Sequence, residues 1–149
     1  MQIYALLPKD RRLPGMLHLF GHRGGLVLAS IACLGKADGA RAAAEHNPSR
    51  DPIMPYGDTP AGTYKPALVD IFAAPHARMG RGCIPLEGEA GEALVAAQHG
   101  RTGLALHAGR GNARLVPTYG CVRITDDDFE RLVAALGDEP VRVRIEELD

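Results

Sequence analysis

The apolar residues of this chain come in short runs that glycine, proline or charge soon interrupts. The longest, GLVLASIACLG at 25 to 35, reaches about half of the roughly 20 apolar residues needed to cross a bilayer as a helix, so no membrane span is expected. Short runs bounded by turn formers are how buried strands look. MQIYALLP and GLVLASIACL read this way, with HLFGHRGG between them as a turn or hairpin, and TYKPALVDIF as a further strand region. At 149 residues there is room for one compact domain with a real core, and a single domain over 1–149 is expected.

Helical signals are fewer and shorter. ADGARAAAEH allows a short helix, and GEAGEALVAAQHG a second, with Ala93, Leu94 and Ala97 at helical spacing and Gly100 as a stop. A third, DDDFERLVAAL, is amphipathic through Phe129, Leu132, Val133 and Leu136. Thr125 and Asp128 resemble a capping box before it and Gly137 closes it. Between the first helix and the strand region lies NPSRDPIMPYGDTPAGTY, whose four prolines predict a structured loop of functional length. TGLALHAG predicts a strand of alternating character ending in His107, and VRVRIEEL a half-exposed strand with Val141, Val143 and Ile145 inward. The fold class is therefore β-rich, mainly β with short peripheral helices.

Charge is nearly balanced, 17 Lys+Arg against 18 Asp+Glu, with the basic residues scattered, so nucleic acid is not the expected partner. Arg11-Arg12 followed by LPGMLHLFGHRGGLVLASIAC loosely imitates an export leader. His22, Arg23, Gly24 and Gly25 interrupt its apolar part, and no leader is read; the protein is expected in the cytoplasm or exported to the periplasm by another route. Cys33, Cys83 and Cys121 are odd in number and far apart, with no C-x-x-C pair, which predicts free thiols rather than a disulfide framework or a zinc site. His18 and His22 would share a helix face, but they sit in a turn-like context without a third ligand. They are read as surface residues, and no metal or cofactor is expected.

The stretch PTYGCVRI, residues 117 to 124, offers the parts of a nucleophile seat. A cysteine attacks as thiolate and needs a base or positive neighbour, with N–H donors aimed at the oxyanion. Gly120 permits the turn, Arg123 can hold a carboxylate, and the helix start near Thr125 adds N–H dipoles. His107 is the candidate base, since Gly109, Gly111 and Pro117 can return the chain beside it. A buried structural cysteine is the competing reading of any lone Cys. Cys33 lies in an apolar run and reads as core. Cys83, in GRGCIPLEG, is a rival nucleophile with no histidine-ended strand evident nearby. GRGNAR at 109 to 114 is neither a dinucleotide fingerprint nor a phosphate loop, and Arg110 and Arg114 are either carboxylate contacts or solvated.

GLALHAG, the loop, TYGCVRI and the upstream DTPAGTY together resemble the L,D-transpeptidase catalytic-domain family, the YkuD-like fold, over roughly Ile3 to Ile124. His107, Thr118, Gly120, Cys121, Val122 and Arg123 match its histidine and Ser/Thr-His-Gly-Cys pattern. Thr59 to Tyr64 is similar to its Thr-Pro-x-Gly-x-Tyr/Phe stretch. The resemblance implies a β-sandwich, Cys121 as nucleophile, His107 as base oriented by the Ala108 carbonyl, and amides around Gly120 and Cys121 as oxyanion hole. It implies Thr118, Tyr119 and Arg123 as substrate contacts, and a peptidoglycan tetrapeptide stem as partner. D-Ala would leave, a thioester would form, and an amine or water would resolve it.

This chain departs from the pattern twice. Tyr119 stands where the family has a second histidine, and only ten residues separate His107 from Thr118. Three expectations follow: a transpeptidase, which could serve as an antibacterial effector; an L,D-carboxypeptidase trimming tetrapeptides; and a non-catalytic module that binds stem peptides.

Overall fold

The structure is a computed structural model and describes residues 1–149. The elements run β1 (Gln2–Pro8), β2 (Gly15–Phe20), β3 (Leu26–Cys33), α1 (Gly39–Ala44), β4 (Gly62–Tyr64), β5 (Asp70–His76), β6 (Gly80–Leu86), β7 (Gly88–Ala90), α2 (Glu92–Gln98), β8 (Leu104–His107), β9 (Val122–Arg123), α3 (Asp126–Leu136) and β10 (Arg142–Leu148). They build a six-stranded sheet, β3-β2-β1-β10-β4-β7, and a four-stranded sheet, β5-β6-β8-β9. One apolar cluster of 22 buried residues joins both sheets to α3, giving the β-rich sandwich expected from the sequence.

Period-two patterning makes the larger sheet. Ile3, Ala5 and Leu7 of β1, Leu17 and Leu19 of β2, and Val143 and Ile145 of β10 are buried, while the residues between them reach solvent. β1 pairs in parallel with β10 from Gln2↔Arg142 to Pro8↔Leu148, and antiparallel with β2. The β2–β3 ladder carries an extra residue near Ser30, whose φ of 59° places it in the left-handed region, and the Ser30 N–H donates to His18 Nδ1.

Several expectations need correction. His18 to Phe20 belong to a strand, with the turn confined to Gly21–Gly25, so the stretch weighed as a leader forms the β2–β3 hairpin. TYKPALVDIF splits around Pro66: β4 joins one sheet and β5 the other. GRGCIPL is strand β6; its Pro85 pairs with Ala105 beyond the Asp70↔Cys83 end of the β5 ladder, where no donor is missing. The second helix starts only at Glu92, after β7. All four residues of β8 are buried, so that strand does not alternate.

α1 and α3 form where expected. Thr125 Oγ1 accepts from the Asp128 N–H at 3.2 Å, and Gly137 ends α3 at φ 54°. The capping box is half made, because the Asp128 carboxylate turns to Arg131 at 2.9 Å. Phe129, Leu132 and Leu136 put the apolar stripe of α3 into the core, each contributing about 2 kcal/mol by burial. No helix is long and apolar enough to cross a membrane.

Candidate active site

The smaller sheet ends in a cavity of about 640 Å³ whose walls include His107, Cys121, Arg123, Thr118 and Tyr119. β8 and β9 run parallel with His107 opposite Arg123, and Cys121 precedes β9. On its other side the segment after β3 pairs with the same stretch: Leu34 exchanges backbone bonds with Arg123, and Asp38 N–H donates to Thr118 O at 2.7 Å. Two flanking segments thus hold residues 118–123 at the cavity.

His107 is 3% exposed, and its Nδ1 lies 2.8 Å from the Ala108 carbonyl. Only an N–H can donate to a carbonyl, so Nδ1 carries the proton and Nε2 is the free acceptor. Burial lowers its pKa to about 4, against the Ala108 bond that favours the charged ring; Arg123 and His76 push the same way as burial. The imidazole is neutral at pH 7.

Cys121 is partly buried, and its thiol donates to Gly103 O at 3.9 Å. Burial raises its pKa, opposed by the Ala105 N–H and by the charges of Arg101 and Arg123. Thiol and imidazole therefore rest in their neutral forms.

The turn at Cys121 is tied from within. Thr118 Oγ1 donates to Cys121 O at 2.9 Å and accepts from the Gly120 N–H at 3.0 Å. Thr118 lines the cavity and its hydroxyl clasps the turn, engaging the Gly120 amide. The N–H groups of Tyr119 and Cys121 have no acceptor within the chain and remain available for one. Gly120 has φ 113°, and a Cβ there would strike Arg101 Nη2 and the Gly57 carbonyl, so only glycine fits.

Arg123 anchors the loops around it. Its Nε donates to Val116 O at 2.8 Å and its Nη1 to Ala108 O at 2.7 Å and Arg78 O at 3.3 Å, fixing the carbonyl that orients His107. The first-turn amides of α3 serve Gly111, Asn112 and Thr125 instead of the thiol. Asp126 accepts from the N–H groups of Gly109 and Gly111, shaping the loop above His107. Arg110 lines the cavity, whereas Arg114 is exposed outside it.

The rival thiols are sealed. Cys33 is fully buried and pushed up to about 12, and burial pushes Cys83 up to about 11. The sequence had shown no histidine-ended strand near Cys83, yet it pairs directly with His107 across β6 and β8. Register across a strand not recognised in the sequence hid that neighbour. His18 sits in β2, and His22 pairs with Glu139 at 3.0 Å.

Sequence reasoning missed Arg101. It is 6% exposed and donates to the carbonyls of Pro52, Asp58 and Gly57, fastening the long proline loop beneath the turn at Cys121. A lone arginine between Gly100 and Gly103 gave no periodic signal. The upstream Thr-Pro-Ala-Gly-Thr-Tyr stretch reaches the same turn: Thr59 Oγ1 donates to Gly120 O at 2.7 Å, and the buried Tyr64 hydroxyl donates to Pro60 O at 2.6 Å.

No protein-family model matches the chain, and no curated protein matches it. Two solved structures share its fold. Bd1075 of Bdellovibrio bacteriovorus aligns with a TM-score of 0.53 and 18% identity, over 93% of this chain and 46% of that one. The helical cell shape determining protein Pgp2 from Campylobacter jejuni aligns with a TM-score of 0.56 and 16% identity, over 99% and 48%. This chain spans about half the length of either structure.

Proposed function

We propose that residues 1–149 form one catalytic domain, a cysteine acyl transferase that acts on peptidoglycan stem peptides in the manner of an L,D-transpeptidase. One observation carries the reading: a partly buried thiol and a neutral imidazole, its Nδ1 tied to the Ala108 carbonyl, line one cavity. The fold shared with a protein named for determining cell shape adds weight, because peptidoglycan sets bacterial shape.

In this mechanism His107 Nε2 takes the Cys121 proton as sulfur attacks the carbonyl carbon before the terminal D-Ala. The N–H groups of Tyr119 and Cys121 receive the oxyanion. The carbon–nitrogen bond breaks, the imidazolium protonates the departing amine, and a thioester remains. An amine from a second stem then gives a cross-link, a free D-amino acid gives an exchange product, and water gives a tripeptide.

One observation favours water, the L,D-carboxypeptidase reading. Four arginines and a single carboxylate, Asp38, line the cavity, an unfavourable field for an acceptor arriving as ammonium. The test is mass spectrometry of the protein and Cys121→Ala with a disaccharide-tetrapeptide, with and without D-Met. Tripeptide alone means hydrolysis; dimers or D-Met exchange mean transpeptidation. No Cys121-dependent product in either arm would reject both and leave a module that only binds stem peptides.

A further inference from the structure

The arginines at the cavity fall into two kinds. Arg101 and Arg123 are buried and hold backbone carbonyls, which accounts for their presence. Arg78 and Arg110 are exposed on the cavity wall, and neither is paired with a carboxylate. Asp38, the one acidic residue of the lining, caps α1 through the Arg41 N–H at 2.9 Å.

The loops that carry the two unpartnered arginines are locked together. A Cβ on Gly109 would meet Arg78 O and Gly80 N, and one on Gly80 would meet Gly109, so the two backbones touch where only glycine permits. Both glycines take positive φ, 74° and 109°. Arg110 also bears on Arg123, whose pKa is lowered first by burial and next by the charge of Arg110. Since Arg123 pairs with His107, the Arg110 charge belongs to the same end of the cavity as the candidate base.

Arg78 is not a freely solvated side chain. Its Nη1 donates to the Tyr119 hydroxyl at 2.6 Å, and its guanidinium stacks on the Tyr119 ring 5.1 Å from the centroid. Arg41 stacks on the same ring at 5.4 Å. Nε and Nη2 of Arg78 have no partner within the chain. Two guanidiniums carried on loops whose backbones touch, neither of them paired with a carboxylate, suit an anion that bridges them.

We propose that Arg78 and Arg110 form a carboxylate clamp that reads the charge of the bound peptide, and that Tyr119 is the positioning residue holding Arg78 in it. The inference rests on the reading of the cavity as a stem-peptide site and adds a selectivity: stems with free carboxylates are taken, and stems amidated at the clamped position are rejected. Tyr119, the departure from the histidine pattern, thereby acquires a role that an imidazole would not fill in the same way.

The experiment uses the full chain carrying Cys121→Ala, so that binding is read without turnover. Calorimetry compares the disaccharide-tetrapeptide with versions amidated singly at the D-Glu, the diamino acid or the terminal D-Ala carboxylate. One of these amides is expected to bind about tenfold more weakly, and the arm that does so identifies the carboxylate. Adding Arg78→Gln and Arg110→Gln should make acid and amide bind alike. Tyr119→Phe keeps the ring but loses the phenol; it should narrow the acid-to-amide ratio severalfold while leaving affinity for the amide unchanged, which a general loss of structure would not do.

Equal binding of the acid and all three amides, or discrimination that survives the double arginine replacement, overturns the clamp. The protein with Cys121 intact is assayed alongside. Turnover of the tetrapeptide without charge discrimination sinks the clamp alone, whereas neither binding nor turnover sinks the clamp and the stem-peptide reading together.

Discussion

The two sheets solve different problems. The six-stranded sheet is held by alternation, with apolar side chains on one face and a ladder running from Gln2 to Pro8 against β10. The four-stranded sheet contains Gly80, Gly82 and Pro85 in β6, a four-residue β8 buried throughout and a two-residue β9. Its precision comes from polar fastenings instead: Arg101 on three carbonyls, Arg123 on three more, and Thr59 and Thr118 on the turn at Cys121. Apolar packing makes a stable platform, and directional bonds fix the positions of the side chains at the cavity.

Four predictions put this division under strain. The largest effect is expected at Cys121→Ala, which abolishes Cys-dependent product in the tetrapeptide assay while the urea unfolding midpoint stays where it was. Retained turnover would detach the chemistry from the smaller sheet altogether.

Next comes a matched pair. Arg101→Gln leaves buried carbonyls unpaired and should cost about 3 kcal/mol of stability, and it should also lower turnover per folded molecule by more than about tenfold. Leu17→Ala in the larger sheet should cost a similar amount, about 3 kcal/mol, yet leave turnover per folded molecule unchanged. Chemical denaturation and kinetics on the same samples separate the two. If both replacements alter turnover equally, the sheets are not divided in the way described.

The third is a pH dependence of stability. His107 is depressed to about 4 from 6.5, so between these values the unfolded chain binds the extra proton. The contribution is fully present above pH 6.5 and is lost as pH falls through 4, a loss of about 3 kcal/mol at most. Urea midpoints measured from pH 7 to pH 3.5 should fall in that window, and His107→Gln should flatten this part of the curve.

The smallest is a contrast in thiol reactivity. Iodoacetamide should modify Cys121 in the folded protein, slowly at pH 7 and faster as pH rises, because burial lifts its thiol above the ordinary value of 9.0. Cys33 and Cys83 should react only after unfolding. Peptide mapping of the alkylated protein reads all three.

The same division governs what the sequence disclosed. β1, β10 and α3 were legible because their burial follows period two or period 3.6, and Thr125 and Gly137 bracket the helix. β6 was not legible: Gly80, Gly82 and Pro85 interrupt any strand pattern, and their tolerance depends on where β5 ends. At the site, a short motif around Cys121 and a histidine at the end of a strand could be read locally. Arg101, Arg78 and the neighbourhood of Cys83 could not, because each is defined by a contact between segments far apart in the chain. The engagement of the Gly120 amide by Thr118 Oγ1 lay beyond any pattern of residue types.

The parallel pairing of β1 with β10 carries a consequence for biosynthesis. The strand that fills the middle of the larger sheet follows every other element of the fold, so β1 keeps one bare hydrogen-bonding edge until Arg142–Leu148 has left the ribosome. Closing that gap brings Gln2 to Arg142 from far along the sequence, the kind of non-local step that slows folding and exposes an intermediate to strand-for-strand association with its neighbours. A chain stalled before Arg142 would carry a finished turn at Cys121 on an unfinished sheet.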